Sequence, residues 1–148
     1  MKLTLDLIGS ELALSEAEIS ENRDHHGAAG HALDSKRATV REGWGDERAH
    51  RKGKLTAWER IAALTDPGSS VFPVGTLVNW GRDFPGSKRQ APGAGVITAF
   101  CQVHGRHVMV IANDNTVASG AWWPGTPEKI QRGQEMALRL GIPVVYLV

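Results

Sequence analysis

Residues 95–148 carry the pattern that most constrains the fold. Two apolar runs are joined by a short turn and followed by a polar, glycine-bearing loop, one helix and a closing apolar run. The first two runs meet at Val103-His104-Gly105-Arg106-His107, where glycine supplies the positive φ that a tight hairpin needs. The run 108–112 empties into Asn113-Asp114-Asn115-Thr116, a polar cluster of the kind that ends a strand. Thr126 as N-cap and Pro127 at the first helical position open a helix, and Gly141 with Pro143 closes it. Val144-Val145-Tyr146-Leu147-Val148 is apolar without alternation, the signature of a parallel strand buried on both faces. Strand, helix and strand make a βαβ unit with a right-handed crossover. In open α/β sheets the loop after the first strand of such a unit, here residues 113–125, faces the ligand.

The rest of the chain narrows the function classes. At 148 residues it holds one domain with a core. Seventeen basic against sixteen acidic side chains leave a formal charge of +1, so nothing draws it to nucleic acid or an anionic membrane. The single cysteine, Cys101, excludes an internal disulfide and a multi-cysteine zinc ribbon, and reads as a small buried hydrophobe in a strand. No apolar run approaches the ~20 residues of a membrane span. Met1-Lys2-Leu3-Thr4-Leu5-Asp6 has a charge within its apolar run and no cleavage pattern, so no signal peptide is read and the compartment expected is cytoplasmic.

Residues 1–50 read as an N-terminal helical arm. Ser15-Glu16-Ala17-Glu18 offers a capping-box start. Asn22-Arg23-Asp24-His25-His26-Gly27 then breaks it, and residues 33–41 resume a helix that Gly43 and Gly45 end. His25, His26 and His31 read as solvated loop histidines without metal geometry. His104 and His107, at the hairpin, likewise make a poor zinc site, so no metal is expected. Arg48, Arg51, Lys52 and Lys54 form the densest basic run, either a solvated face or a cradle for phosphates. Thr56-Ala57-Trp58-Glu59 is a second capping box, opening a helix with Ala57, Trp58, Ile61, Ala62 and Leu64 on one stripe. Residues 69–92 suggest a short strand or two and a mobile loop at 82–90, with Lys88 and Arg89 solvated. Gly93-Ala94-Gly95 lacks a third glycine and precedes a strand, so the dinucleotide fingerprint fails. In Ala118-Ser119-Gly120-Ala121-Trp122-Trp123-Pro124-Gly125 the tryptophans are either core anchors or walls of a flat pocket that Gly120 opens to a ligand.

Several short stretches together resemble the carboxyltransferase family of biotin-dependent acyl-CoA carboxylases and decarboxylases. They are Arg51-Lys52-Gly53-Lys54-Leu55-Thr56-Ala57-Trp58-Glu59-Arg60-Ile61, Asp66-Pro67-Gly68-Ser69, Ala91-Pro92-Gly93-Ala94-Gly95-Val96, Val103-His104-Gly105-Arg106, Ala112-Asn113-Asp114 and Pro143-Val144-Val145-Tyr146-Leu147-Val148. Ser119-Gly120-Ala121-Trp122-Trp123-Pro124-Gly125 departs from the common Gly-Gly-Thr-Tyr-Phe-Pro-like form and is similar to the glutaconyl-CoA decarboxylase carboxyltransferase subunit.

The resemblance implies an α/β fold, the first part of a crotonase-like domain over residues 51–148, preceded by the arm. It implies transfer of a carboxyl group between acyl-CoA and biotin borne on a separate carrier protein or domain, with the enolate oxygen held by backbone amides. Homo-oligomerisation follows from the same resemblance. The acyl-CoA contacts expected are Asn113, Ser119, Gly120, Ala121 and Trp122, with Arg51 and Lys54 toward the nucleotide phosphates and the amides of Gly120 and Ala121 open to the ligand. Relatives continue beyond the position of Val148 into an Asp-Ser-Gly-Gly-Ala-like donor loop, so the chain reads as a truncated piece whose catalytic amides lie outside it. The alternative readings are a non-catalytic acyl-CoA-binding or assembly module and, more remotely, a crotonase-type hydrolase or hydratase.

Overall fold

The computed structural model describes residues 14–148, so the reading of Met1 to Asp6 lies outside the described residues. The chain divides into two compact units, Met1–Ser35 and Lys36–Val148.

Helix α1 spans Glu16–Glu42 and begins as the capping box predicts. The Ser15 amide donates to the Glu18 carboxylate at 2.8 Å, and the Glu18 amide donates back to Ser15 Oγ at 3.3 Å. The expected break at 22–27 does not occur: the helix runs through Gly27 and Gly30, and the three histidines ride on it, exposed. Two isolated glycines, each costing about 1 kcal/mol against alanine, do not outweigh flanking alanines, glutamates and arginines. No residue along α1 is buried. Gly43 and Gly45, at φ 61° and 95°, end it as expected.

In the second unit, α2 (Glu47–His50) leads to α3 (Ala57–Leu64), whose start is fixed by the predicted capping box. The Thr56 amide donates to Glu59 at 2.7 Å and the Glu59 amide to Thr56 Oγ1 at 3.2 Å. A four-stranded sheet follows in the order β1-β2-β3-β4: Phe72–Val74, Val96–Val103, Arg106–Asn113 and Val144–Leu147. The first three strands are antiparallel, and β4 returns parallel to β3 through helix α4 (Thr126–Leu140). This mixed α/β sheet contains the expected βαβ unit.

The β2–β3 turn is a two-residue hairpin with His104 and Gly105 both at positive φ, 50° and 73°. Asp66 holds it: both of its carboxylate oxygens accept at 2.7 Å, one from the His104 amide and one from that of Gly105. The amides of Gly105 and His104 keep the Asp66 carboxyl below its ordinary pKa.

Alternation along β2 and β3 sends Ile97, Ala99, Cys101, Val108, Val110 and Ala112 to the Ala57 and Ile61 face of α3. Val96, Met109 and Ile111 go to the opposite face, against Ala137 and Ile130 of α4. A β-carbon on Gly133 would sit 3.4 Å from Thr98 and 3.5 Å from Ile111, the mark of a close helix–sheet approach.

Gly125, at φ 91°, is the N-cap of α4, and Thr126 begins the helix itself. Its hydroxyl accepts from the Trp123 amide at 2.8 Å and donates to Ala94 O at 2.6 Å, a fully buried tie between elements. Among the described residues strand β4 pairs with β3 alone and is only partly buried, with Tyr146 45% exposed. Apolar composition marked it as a strand but carried no information on its neighbours. In the 82–90 loop, Arg89 lies over the Trp44 ring at 5.2 Å and Trp44 Nε1 donates to Gln90 O at 2.9 Å, so Arg89 is not merely solvated.

Candidate functional site

Strand β3 ends at Asn113, and the chain turns around Asp114, which is buried. The Asp114 carboxylate accepts from the Thr116 amide at 3.0 Å and its hydroxyl at 2.6 Å, the side-chain turn expected of this cluster. Asn115 points the other way. Its Oδ1 accepts from the Ala57 amide at 3.0 Å, and its Nδ2 donates to Leu55 O at 2.8 Å. The loop after β3 is thereby fastened to the segment leading into α3.

A one-turn 3-10 helix at Ala118–Gly120 follows, with Ala118, Ser119 and Gly120 all left-handed at φ 47°, 60° and 86°. Between it and the Lys54–Arg60 segment lies a cleft of about 520 Å³, lined by Lys54, Leu55, Arg60, Asn113, Asn115, Ser119, Gly120 and Val148. No lining side chain is a carboxylate, and among the described residues neither Lys54 nor Arg60 is in an ion pair. Such a cleft favours an anion.

Of the seven residues singled out from sequence, the cleft brings together Lys54, Asn113, Ser119 and Gly120. Arg51 sits exposed at the C-cap of α2, outside the lining. Ala121 and Trp122 are exposed beyond it, with Trp122 64% accessible. Trp123 is the anchor of the pair, edge-on to Trp44 at 5.8 Å and tilted against Phe84 at 5.7 Å. The amides expected to be open to a ligand are occupied: Gly120 N donates to Val117 O at 2.9 Å and Ala121 N to Ala118 O at 3.3 Å. Tight turns satisfy their own donors, which the glycine pattern alone did not reveal. Sequence reading missed Leu55, Arg60 and Asn115. Arg60 is legible as the cation that falls off the apolar stripe of α3, whereas Asn115 reads from sequence as turn chemistry.

His50 supports the same wall. Its ring lies 3.0 Å from the Glu59 carboxylate that caps α3 and 3.5 Å from Asp46. The hydrogen bond to Glu59 raises the His50 pKa, and that bond lowers Glu59. A raised histidine contributes fully below its unfolded value near 6.5, and the contribution fades as pH climbs past the raised folded value.

Behind the loop sits a buried pair. Lys129 Nζ donates to Gly93 O at 2.9 Å and Val96 O at 2.6 Å. Burial pulls its pKa down to about 8, and the field of Asp114 opposes that fall. Asp114 is itself raised by burial. The Lys129 ammonium ties the 93–95 knuckle to α4, the Asp114 backbone amide donates to Gly95 O at 3.0 Å, and neither side chain lines the cleft. Among the described residues no group of three or more His, Cys, Asp or Glu side chains has metal-binding geometry, and no helix is long and apolar enough to cross a membrane.

With this geometry in view, comparison with known proteins decides the family. Residues 48–148 match the carboxyl transferase domain. The chain belongs to that family. It is 38% identical over 129 residues to the biotin-dependent 3-methylcrotonyl-coenzyme A carboxylase beta1 subunit of Mycobacterium tuberculosis, covering 84% of this chain and 23% of that protein. It is 37% identical over 120 residues to the methylmalonyl-CoA decarboxylase subunit alpha of Veillonella parvula, covering 76% and 23%. Carboxylase and decarboxylase subunits thus both appear among the relatives. The beta subunit of geranyl-CoA carboxylase from P. aeruginosa superposes with a TM-score of 0.80 at 24% identity, over 94% of this chain and 26% of that one. Transcarboxylase 12S, whose structure is a hexamer assembly with methylmalonyl-coenzyme A bound, superposes at 0.70 with 29% identity, over 91% and 25%. The crotonase-like α/β fold expected from the sequence is borne out. The chain spans about a quarter of the length of the curated relatives it matches.

Proposed function

We propose that this chain forms one side of the acyl-CoA pocket of a biotin-dependent carboxyltransferase, which moves a carboxyl group between acyl-CoA and biotin held on a separate carrier. The observation that carries the reading is the cleft in which Lys54 and Arg60, both without ionic partners among the described residues, face Asn113, Ser119 and Gly120. The ammonium and guanidinium would take the nucleotide phosphates, the guanidinium by a forked pair of hydrogen bonds. Arg51, on the adjoining surface, extends that positive field. The loop side would take the pantetheine arm and thioester, with Ala121 and Trp122 at its outer margin. Because the Gly120 and Ala121 amides already bond to Val117 and Ala118, the donors for the enolate oxygen belong to another segment.

The same reading includes a homo-oligomer in the cytoplasm and a division into an arm, residues 1–50, and the start of the carboxyltransferase domain, residues 51–148. The internally bonded amides favour one second reading: a module that binds acyl-CoA or supports assembly without itself supplying the catalytic donors.

The test is calorimetric titration of the chain with 3-methylcrotonyl-CoA and propionyl-CoA. The expected result is salt-sensitive binding, weakened at least about tenfold in a Lys54→Glu/Arg60→Glu double variant, a change of ~1.4 kcal/mol or more. Binding unaffected by the double variant would place the nucleotide elsewhere. Absence of binding by the folded wild-type chain would remove the reading altogether.

A further inference from the structure

The cleft has two walls from distant parts of the sequence, residues 54–60 and residues 113–120, and one side chain spans them. Asn115 bonds at both ends of its amide group, to Ala57 N and to Leu55 O. A backbone N–H can only donate and a carbonyl can only accept, so these partners fix which end of the amide faces which residue. No other side chain of similar length supplies both functions: aspartate lacks the donor, leucine lacks both, and alanine cannot reach.

The bond to Ala57 also satisfies a first-turn amide of α3 that has no partner within the helix. Loss of Asn115 therefore frees both the 54–56 segment and the first turn of α3, the parts that carry Lys54 and Arg60. The capping box at Thr56 and Glu59 would remain, so α3 keeps its start while its position against the β3 loop relaxes. The opposite wall is stiff on its own account, because its left-handed turn closes on Val117 and Ala118.

We propose that Asn115 is a positioning residue: it sets the spacing between the cationic wall and the loop wall, and thereby selects ligands long enough to touch both. The ligand named rests on the acyl-CoA reading above; the spacing does not.

Two measurements separate these. Spin labels at Ala63 and Trp122, both exposed, report the distance between the walls in the ligand-free chain, and the buried Cys101 stays unlabelled. A single narrow distribution is expected for the wild type, a broad one for Asn115→Ala, and an intermediate one for Asn115→Asp, which keeps the bond from Ala57. Circular dichroism confirms that each variant is folded, and the aspartate variant decides the matter if the alanine variant is not. In parallel, affinities are measured for propionyl-CoA, which needs both walls, and for adenosine 3′,5′-bisphosphate, which needs only the cationic one. Asn115→Ala is expected to lose at least about tenfold for the first and under about threefold for the second, a split that uniform destabilisation would not produce. Equal loss for both ligands, or an unchanged distance distribution in the variants, overturns the proposal. Should the wild type bind neither ligand, the acyl-CoA reading fails and the distances alone decide the role of Asn115.

Discussion

The chain uses one unusual backbone device twice, with different results. Gly93, Ala94 and Gly95 are consecutively left-handed, at φ 76°, 55° and 62°; so are Ala118, Ser119 and Gly120, at 47°, 60° and 86°. The first triplet is buried and tied from several sides: Lys129 takes the carbonyls of Gly93 and Val96, Thr126 takes that of Ala94, and the Gly93 amide donates to Val78 O at 2.6 Å. The second is open, closed only by its own turn, and borders the cleft. A non-glycine residue in this conformation costs roughly 1–2 kcal/mol and persists where its surroundings over-determine it. At the knuckle the surroundings are the core, so the strain is architectural. At the loop the surroundings are thin, and Ser119 and Gly120 border the cleft.

The comparison can be broken by substitution. Gly95→Ala should show the largest effect, because its β-carbon would lie 3.1 Å from the Trp123 ring and 3.3 Å from Ala121 O in a left-handed residue. Strain and overpacking together should cost about 4 kcal/mol in denaturant titration. Next comes the lysine beneath the knuckle. A folded-state pKa of about 8 against an ordinary 10.5 means the unfolded chain binds the proton more tightly, so stability rises as pH climbs between those values. Relative to Lys129→Met, the wild type should gain about 3 kcal/mol across that window, read from denaturation curves at stepped pH. Thr126→Val removes a hydroxyl that both donates and accepts in a buried place and should cost about 2 kcal/mol by the same assay. The smallest effect belongs to the open triplet: at Gly120 a β-carbon meets Asn113 at 3.6 Å and Asn115 at 4.0 Å, both ordinary contacts, so Gly120→Ala should cost about 1 kcal/mol from conformation alone. A Gly120→Ala cost equal to that of Gly95→Ala would erase the distinction between the two loops.

What was legible in the sequence was what local chemistry encodes. The capping boxes at Ser15 and Thr56, the hairpin at Gly105, the stop at Gly141 and the βαβ order all follow from neighbours within a few residues, and all are present. The helical run through His25 and His26 is not legible locally, because the turn-favouring residues there are outweighed only by the length of helix on either side. Nor was the start of α4, where Thr126 looks like a cap but serves Ala94, thirty-two positions earlier. The candidate site divides the same way. Asn113, Asn115, Ser119 and Gly120 lie in the loop that topology puts on the ligand side, while Arg60 joins the cleft because α3 packs against β3, and the two bonds of Asn115 to Leu55 and Ala57 follow from that packing. Trp122 and Trp123 are adjacent in sequence, yet one is exposed and the other wedged against Trp44 and Phe84, which no local pattern distinguishes.

The central claim is that the open loop and the 54–60 segment bind acyl-CoA while the stapled knuckle only holds the fold. Backbone amide shift mapping of the chain during titration with propionyl-CoA tests it most directly. The account predicts saturable shifts at residues 54–60 and 113–120, with the amides of residues 93–95 unmoved. Shifts concentrated at the 93–95 knuckle, with residues 54–60 silent, would contradict it.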